Sequence, residues 1–229
     1  MSDSHPLGPR VSGMGAIITE DPKSWETAWK TNVTPWDSGE IQPPLKQVIE
    51  GGKVSFSKGG RALVPGCGRG YDTIYLASAL EHDTVGLDVS ETALGAANEL
   101  VQSSSVGPEL ASRIHFEVAD FFKYEVPEDK KFDLIYDYTF FVAIPPPRRP
   151  EWGSQINSLI KPGGYLITLM FPQVSEPYTT GPPFYSNLSS YEEVLGNGWE
   201  IVLNEIPDDA TLAEAHKGRD RIVVWKRKA

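Results

Sequence analysis

Three glycines at alternate positions, Gly66, Gly68 and Gly70, break the apolar run Ala-Leu-Val-Pro into the turn Gly-Cys-Gly-Arg-Gly. Glycine at this spacing lets the main chain adopt positive φ and approach a ligand closely, which suits a nucleotide, a phosphate or a nucleoside-like cofactor. Asp88 closes the next apolar run, roughly twenty residues on, where a carboxylate accepts hydrogen bonds from ribose hydroxyls. Asp120 beside Phe121 ends the third run, an acid and a ring suited to the amino group and face of a purine. Asp137 and Tyr138 end the fourth; Asp137 is equally at home accepting backbone hydrogen bonds, so Tyr138 is the stronger site residue. A dinucleotide fingerprint asks for its third glycine where Tyr71 stands, and a phosphate-binding loop asks for Gly-Lys-Ser/Thr, which is absent. With Arg69 the turn's one basic residue, a pyrophosphate finds little charge there. A nicotinamide-dependent oxidoreductase and a noncatalytic cofactor-binding protein remain as alternatives.

These residues need a scaffold that gathers strand ends. Strand-like runs occur at 61–64, 84–88, 115–118, 132–138, 165–171, 199–205 and 221–226, with helical stretches at 71–80, 90–102, 149–160 and 189–195, the second opened by Ser90 as N-cap. The alternation predicts an α/β fold, Rossmann-like, with a mostly parallel seven-stranded sheet and helices on both faces. Only an irregular stretch joins the last two runs, which predicts a hairpin and an antiparallel last strand. Ligands of such sheets sit beyond the carboxyl ends of the strands, where the chemistry-bearing residues lie.

Upstream, Trp25 and Trp29 are four apart, on one face of a helix, and Trp36 follows Pro35. The segments Trp-Glu-Thr-Ala-Trp, Thr-Pro-Trp-Asp, Val-Pro-Gly-Cys-Gly-Arg-Gly-Tyr-Asp, Gly-Leu-Asp-Val-Ser, Phe-Asp-Leu-Ile-Tyr-Asp-Tyr and Lys-Pro-Gly-Gly-Tyr-Leu-Ile-Thr-Leu-Met-Phe-Pro together resemble the thiopurine methyltransferase superfamily, within it the plant and fungal halide and thiol methyltransferases. The resemblance runs from about Trp25 to Trp225. It implies a class I methyltransferase fold that uses S-adenosyl-L-methionine and releases S-adenosyl-L-homocysteine. It also implies cofactor contacts at Trp25, Trp29, Trp36, Gly66, Asp88, Asp120, Phe121 and Tyr138, with Gly68 and Gly70 completing the turn. Phe171 departs from the tyrosine of plant relatives, so a hydroxyl contact to substrate is not expected there. A chain of 229 residues suits a single domain, expected over 21–229 with a Trp-rich lid at 22–40, and the start of the chain reads as a flexible tail at 1–20.

Methyl transfer from a sulfonium is an in-line displacement, so alignment, desolvation and electron-rich walls matter most. The expected mouth, with Tyr138, Phe140, Phe141, Val142 and Phe171, is aromatic or apolar and offers no general base. That suits a nucleophile that is already anionic: a halide such as iodide or bromide, thiocyanate, hydrosulfide or a thiolate. Arg219, by its match to a basic position in relatives, is the expected positive partner, with a solvated surface charge as the alternative. Tyr138 and Arg219 are therefore the expected catalytic pair.

Cys67 lies between glycines with no histidine near it in sequence, and reads as a packing residue. The four histidines lack metal-ligand spacing, so no metal is expected. The net charge of −10 repels nucleic acid and anionic membrane surfaces. With one cysteine, no apolar run near the roughly 20 residues of a membrane span and no leader-like start, the sequence reads as a cytoplasmic monomer acting on a small molecule.

Overall fold

The computed structural model describes residues 14–229, so most of the expected tail lies outside the described residues. Seven strands form one sheet: β1 (Arg61–Pro65), β2 (Asp83–Asp88), β3 (Ile114–Val118), β4 (Phe132–Tyr138), β5 (Ile160–Met170), β6 (Trp199–Glu205) and β7 (Arg221–Arg227). Their order is β3-β2-β1-β4-β5-β7-β6. Strands β1 to β5 pair in parallel, and β7 runs antiparallel to both β5 and β6. The hairpin and antiparallel last strand follow the sequence expectation.

Among the described residues, six helices of eight or more residues pack around the sheet: α1 (Lys23–Lys30), α2 (Pro43–Glu50), α3 (Tyr71–Leu80), α4 (Glu91–Ser103), α5 (Arg149–Leu159) and α6 (Leu188–Leu195). Ser90 caps α4 as its sequence predicts, its side chain accepting from Ala93 N. Helix α2 is not among the helical stretches expected from the sequence. Prolines at the first helical positions forfeit only donors that have no intrahelical partner, so they start this helix.

Alternate residues of the central strands feed two cores. On one face Leu63, Ile135 and Leu166 pack with Trp152 and Ile156 of α5; on the other Val64, Leu134 and Ile167 pack with Leu45 of α2 and Leu76 of α3. Burial on both faces explains why these runs are continuously apolar. A smaller cluster joins Met14, Ile18 and Ala28, with Trp25 and Trp36 against it. Residues 14–18, expected within a flexible tail, thus dock on α1, because Met14 and Ile18 are apolar enough to bury there.

Candidate active site

Strands β1 and β4 are neighbours, but the chain leaves β1 toward β2 on one side and reaches β5 from β4 on the other. Their carboxyl ends therefore open a crevice at the switch in strand order. Gly66 has φ +60° and Gly68 φ +53°, conformations that strain any L side chain. A Cβ on Gly66 would lie 2.5 Å from the Phe140 ring, and one on Gly68 3.1 Å from the Trp29 ring. Gly70, φ +80°, ends the turn as the N-cap of α3. Across the crevice Thr139 holds φ 58°, its hydroxyl donating to Tyr138 O at 2.7 Å. A β-branched residue in this region costs on the order of 1–3 kcal/mol, strain that gathers at functional sites.

Asp88 is held from both sides, one oxygen accepting from Gly68 N at 3.0 Å and the other from Ser90 N at 2.9 Å. Burial pushes its carboxyl up to about 6 despite those bonds. The acid is thus prepositioned, with acceptor capacity left for hydroxyl donors. Cys67, inside the turn, has its thiol pushed well up by burial and by the Asp88 charge, so it stays protonated.

Helix α1 covers the turn. Trp36 meets Trp25 edge-on at 5.2 Å and Trp29 at 6.3 Å, while the Arg69 guanidinium lies 5.5 Å from the Trp29 ring and pairs with Asp37 at 2.8 Å. Trp29, Trp36, Gln42, Gly66, Gly68, Asp72, Tyr138 and Thr139 are among the residues bounding an open cleft. The structure therefore brings together Trp29, Trp36, Gly66, Gly68 and Tyr138. Trp25 stands behind them, in the cluster with Ala28.

The other expected residues are placed differently. Asp120 caps a short turn by accepting from Phe122 N at 3.0 Å, and Phe121 is buried with its ring 5.1 Å from Phe140. Phe140 reaches the site as the ring against Gly66. Phe141 and Val142, expected to line the substrate pocket, are core residues instead. Phe141 stacks on Tyr191 at 3.9 Å and Val142 accepts from Phe184 N through its carbonyl. Asp137 turns them inward by accepting from Phe141 N at 3.1 Å and Trp152 Nε1 at 2.9 Å, a structural role that leaves Tyr138 to the site. Phe171 stacks on His216 at 4.1 Å. Arg219 is half-buried, with its carbonyl accepting from Gln173 N at 2.7 Å.

Four residues escaped the sequence reading. Glu26, on α1, accepts from Ser90 Oγ at 2.6 Å and from Thr92 Oγ1 at 2.8 Å. Asp72, in the first turn of α3, is pushed up to about 7 by burial, opposed by one backbone bond from Gln42. Its signal was the acid directly after the glycine turn. His216 and Asp220 lie in the β6–β7 connection, where the histidine ring meets Tyr138. The sequence reading did not foresee a histidine at the mouth, because it comes from a connection distant in sequence that folds back onto the ends of β4 and β5.

A family model described as thiopurine S-methyltransferase matches residues 20–228. The chain is 42% identical over 204 residues to a probable thiol methyltransferase 2 of Arabidopsis thaliana, covering 89% of this chain and 84% of that protein. It is 39% identical to thiocyanate methyltransferase 1 of the same plant, covering 91% and 86%. Among solved structures, a Burkholderia thailandensis 1,6-didemethyltoxoflavin-N1-methyltransferase with bound S-adenosylhomocysteine superposes with TM-score 0.68 at 14% identity, over 99% of this chain and 93% of that one. The magnesium protoporphyrin IX methyltransferase of Synechocystis, with bound S-adenosylmethionine, gives 0.66 at 18% identity, over 92% and 99%. At such identities these two speak to the fold alone.

Proposed function

The chain belongs to the thiopurine S-methyltransferase family, and on that premise we propose that it transfers the methyl group of S-adenosylmethionine to a small, soft, anionic nucleophile. The class comprises thiolates, hydrosulfide, thiocyanate and halides such as iodide. Family membership sets aside the nicotinamide-dependent alternative.

The observation that carries this reading is the aromatic wall over the glycine turn. Trp29 and Trp36 meet edge-on at 6.3 Å, and Tyr138 faces the same cleft from the end of β4. Rings so placed favour a sulfonium by about 0.5–2 kcal/mol each. The residues fit the donor: Asp88 retains acceptor capacity for a ribose, and Gly66 and Gly68 let the Phe140 and Trp29 rings close against the turn where a Cβ would collide. Bound there, S-adenosylmethionine supplies an electrophilic methyl on sulfur. The chain's task is to align the nucleophile and exclude water, and Trp29, Trp36 and Tyr138 serve both. Asp120 and Phe121 would bound the adenine, with Trp25 bracing the lid. Phe140 and Phe171 would shape the nucleophile's side, and Arg219 would offer it a positive charge.

Headspace detection of iodomethane and methyl thiocyanate, with chromatography for methylated thiols, tests the reading directly. S-Adenosylhomocysteine formation that depends on one of these nucleophiles is the expected result. Tight binding of S-adenosylhomocysteine with no methyl transfer to any of them would overturn it in favour of a noncatalytic binding protein.

A further inference from the structure

Tyr138 connects the cleft to a buried acid through a histidine. Its hydroxyl lies 3.4 Å from His216 Nε2, and His216 Nδ1 lies 2.9 and 3.1 Å from the two Asp220 oxygens. A carboxylate accepts only, so Nδ1 carries the hydrogen and Nε2 presents its lone pair to the tyrosine. Asp220 is 3% exposed, and burial raises its carboxyl while the histidine bond opposes the rise. Phe171 stacks on the imidazole at 4.1 Å and 24°, fixing the ring plane. Backbone bonds from His216 N to Ala213 O and from Arg219 N to His216 O hold the turn beneath it.

The surrounding charges leave the relay intact. Lys217 and Glu214 pair with each other at 2.8 Å on the exposed side of the turn. Asp209 acts on Asp220 from the same connection, accepting from Gly218 N at 2.7 Å, and Asp72 acts on Tyr138 from α3. Arg219 is the neighbouring basic residue. Tyr138 is itself pushed well up by burial, with Asp220 and Asp72 adding, so it carries a proton at rest and conducts one without storing a charge.

We propose that His216, oriented by Asp220, is a general base acting through the Tyr138 hydroxyl, so that this enzyme methylates thiols and hydrosulfide in their protonated form as well as nucleophiles that are already anions. This rests on the functional reading above. As the nucleophile's sulfur lone pair forms the bond to the methyl carbon, the donor's carbon–sulfur bond breaks and its electron pair stays on the donor sulfur. The S–H proton passes to Tyr138 Oη, and the tyrosine's own proton passes to His216 Nε2. The products are a neutral thioether, S-adenosylhomocysteine and an imidazolium balanced by Asp220, which returns the proton to solvent. Iodide and thiocyanate carry no such proton and bypass the relay.

The test compares full-length wild type with His216→Gln, and with Asp220→Asn as a second variant that keeps the side-chain shape. Turnover of an alkyl thiol and of iodide is followed with saturating S-adenosylmethionine, from below the thiol's ionisation to above it. The thiol-to-iodide ratio should fall by roughly 100-fold or more in His216→Gln below the thiol's pKa and recover above it, the range of a general base. Asp220→Asn should show the same pattern with a smaller loss. Thiol and iodide turnover falling in parallel, or a ratio unchanged at every pH, would make the cluster a structural clamp and overturn the inference. Absence of methyl transfer to both nucleophiles in wild type would instead overturn the functional reading.

Discussion

Glu26 of α1 accepts a 2.6 Å hydrogen bond from Ser90, whose own N–H donates to Asp88 at 2.9 Å, so the helix proposed as a lid and the acid proposed to hold the ribose are linked through one serine. Thr92 adds bonds from its N–H and hydroxyl to the same carboxylate, at 3.2 and 2.8 Å. Glu26 also sits at the start of α4, where a negative charge is favoured. A tryptophan lid alone would rest on packing; this carboxylate gives it a polar hinge point.

Burial opposes ionisation of Glu26, yet hydrogen bonds from Ser90, Lys30 and Thr92 pull its carboxyl down to about 2. A carboxyl lowered on folding contributes stability above its unfolded value of 4.5, and that contribution disappears as pH falls toward 2. Glu26→Ala should cost about 1–2 kcal/mol at neutral pH after allowance for solvent screening. Limited proteolysis should cut within residues 20–40 faster in the variant, and S-adenosylhomocysteine should slow both proteins. Identical cutting rates would mean that packing of Trp25 and Trp29 suffices to hold the lid.

Asp88 calls for a gentler substitution than alanine. Removing its carboxylate would orphan the buried N–H groups of Gly68 and Ser90, confounding folding with binding. Asp88→Asn keeps one acceptor and should weaken the nucleoside half, measured with 5′-methylthioadenosine, by about 1.5–3 kcal/mol. With the free carboxyl at about 6, wild-type affinity for that ligand should be flat above neutrality and decline below 6, because hydroxyl donors favour the ionised acceptor. Calorimetry across pH decides it, and affinity independent of pH from about 5 to about 8, a window that brackets the Asp88 carboxyl, would remove Asp88 from the site.

Gly68→Ala tests the closeness of lid and turn. A Cβ there meets a φ of +53° and the Trp29 ring at 3.1 Å, so both backbone and lid must yield. The expected cost is about 1–2 kcal/mol in stability with a larger loss of cofactor affinity. Tryptophan fluorescence should report the displaced ring. Stability lost with affinity and fluorescence unchanged would place the lid elsewhere in solution.

The mostly parallel sheet, the hairpin and the glycine turn were legible because each follows from a local pattern: strand-like runs alternating with helical ones, a missing crossover helix, glycines at alternate positions. The Trp29–Trp36 wall was legible from helical spacing and a resemblance. What escaped was long-range. Glu26 and Ser90 are 64 residues apart, and His216 meets Tyr138 across 78. No spacing rule links such pairs. Phe141 and Val142 misled for the opposite reason: adjacency in sequence to Tyr138 suggested a shared pocket, while Asp137 and Trp152 draw that turn into the core.

Asp72 is a buried acid of the cleft, and it is poorly satisfied. Its carboxyl, raised by burial to about 7, has one backbone partner, Gln42 N at 3.4 Å. A group raised on folding favours the folded state below its unfolded value of 3.8, and that contribution is lost as pH rises through 7, so the free protein should lose stability over this window. A cation in the cleft would reverse the strain, and the ammonium of the donor's amino-acid tail is the cation at hand. Asp72→Asn should then stabilise the free protein at about pH 8, where the wild-type carboxylate is charged, while weakening S-adenosylhomocysteine by roughly tenfold or more. It should leave 5′-methylthioadenosine, which lacks that tail, unaffected. In wild type the tail should add a second pH step to binding: S-adenosylhomocysteine affinity should weaken below 7, before the nucleoside half weakens at Asp88. Equal losses for the two ligands in Asp72→Asn would mean that the substitution disturbs the glycine turn itself, and the ammonium contact would be wrong.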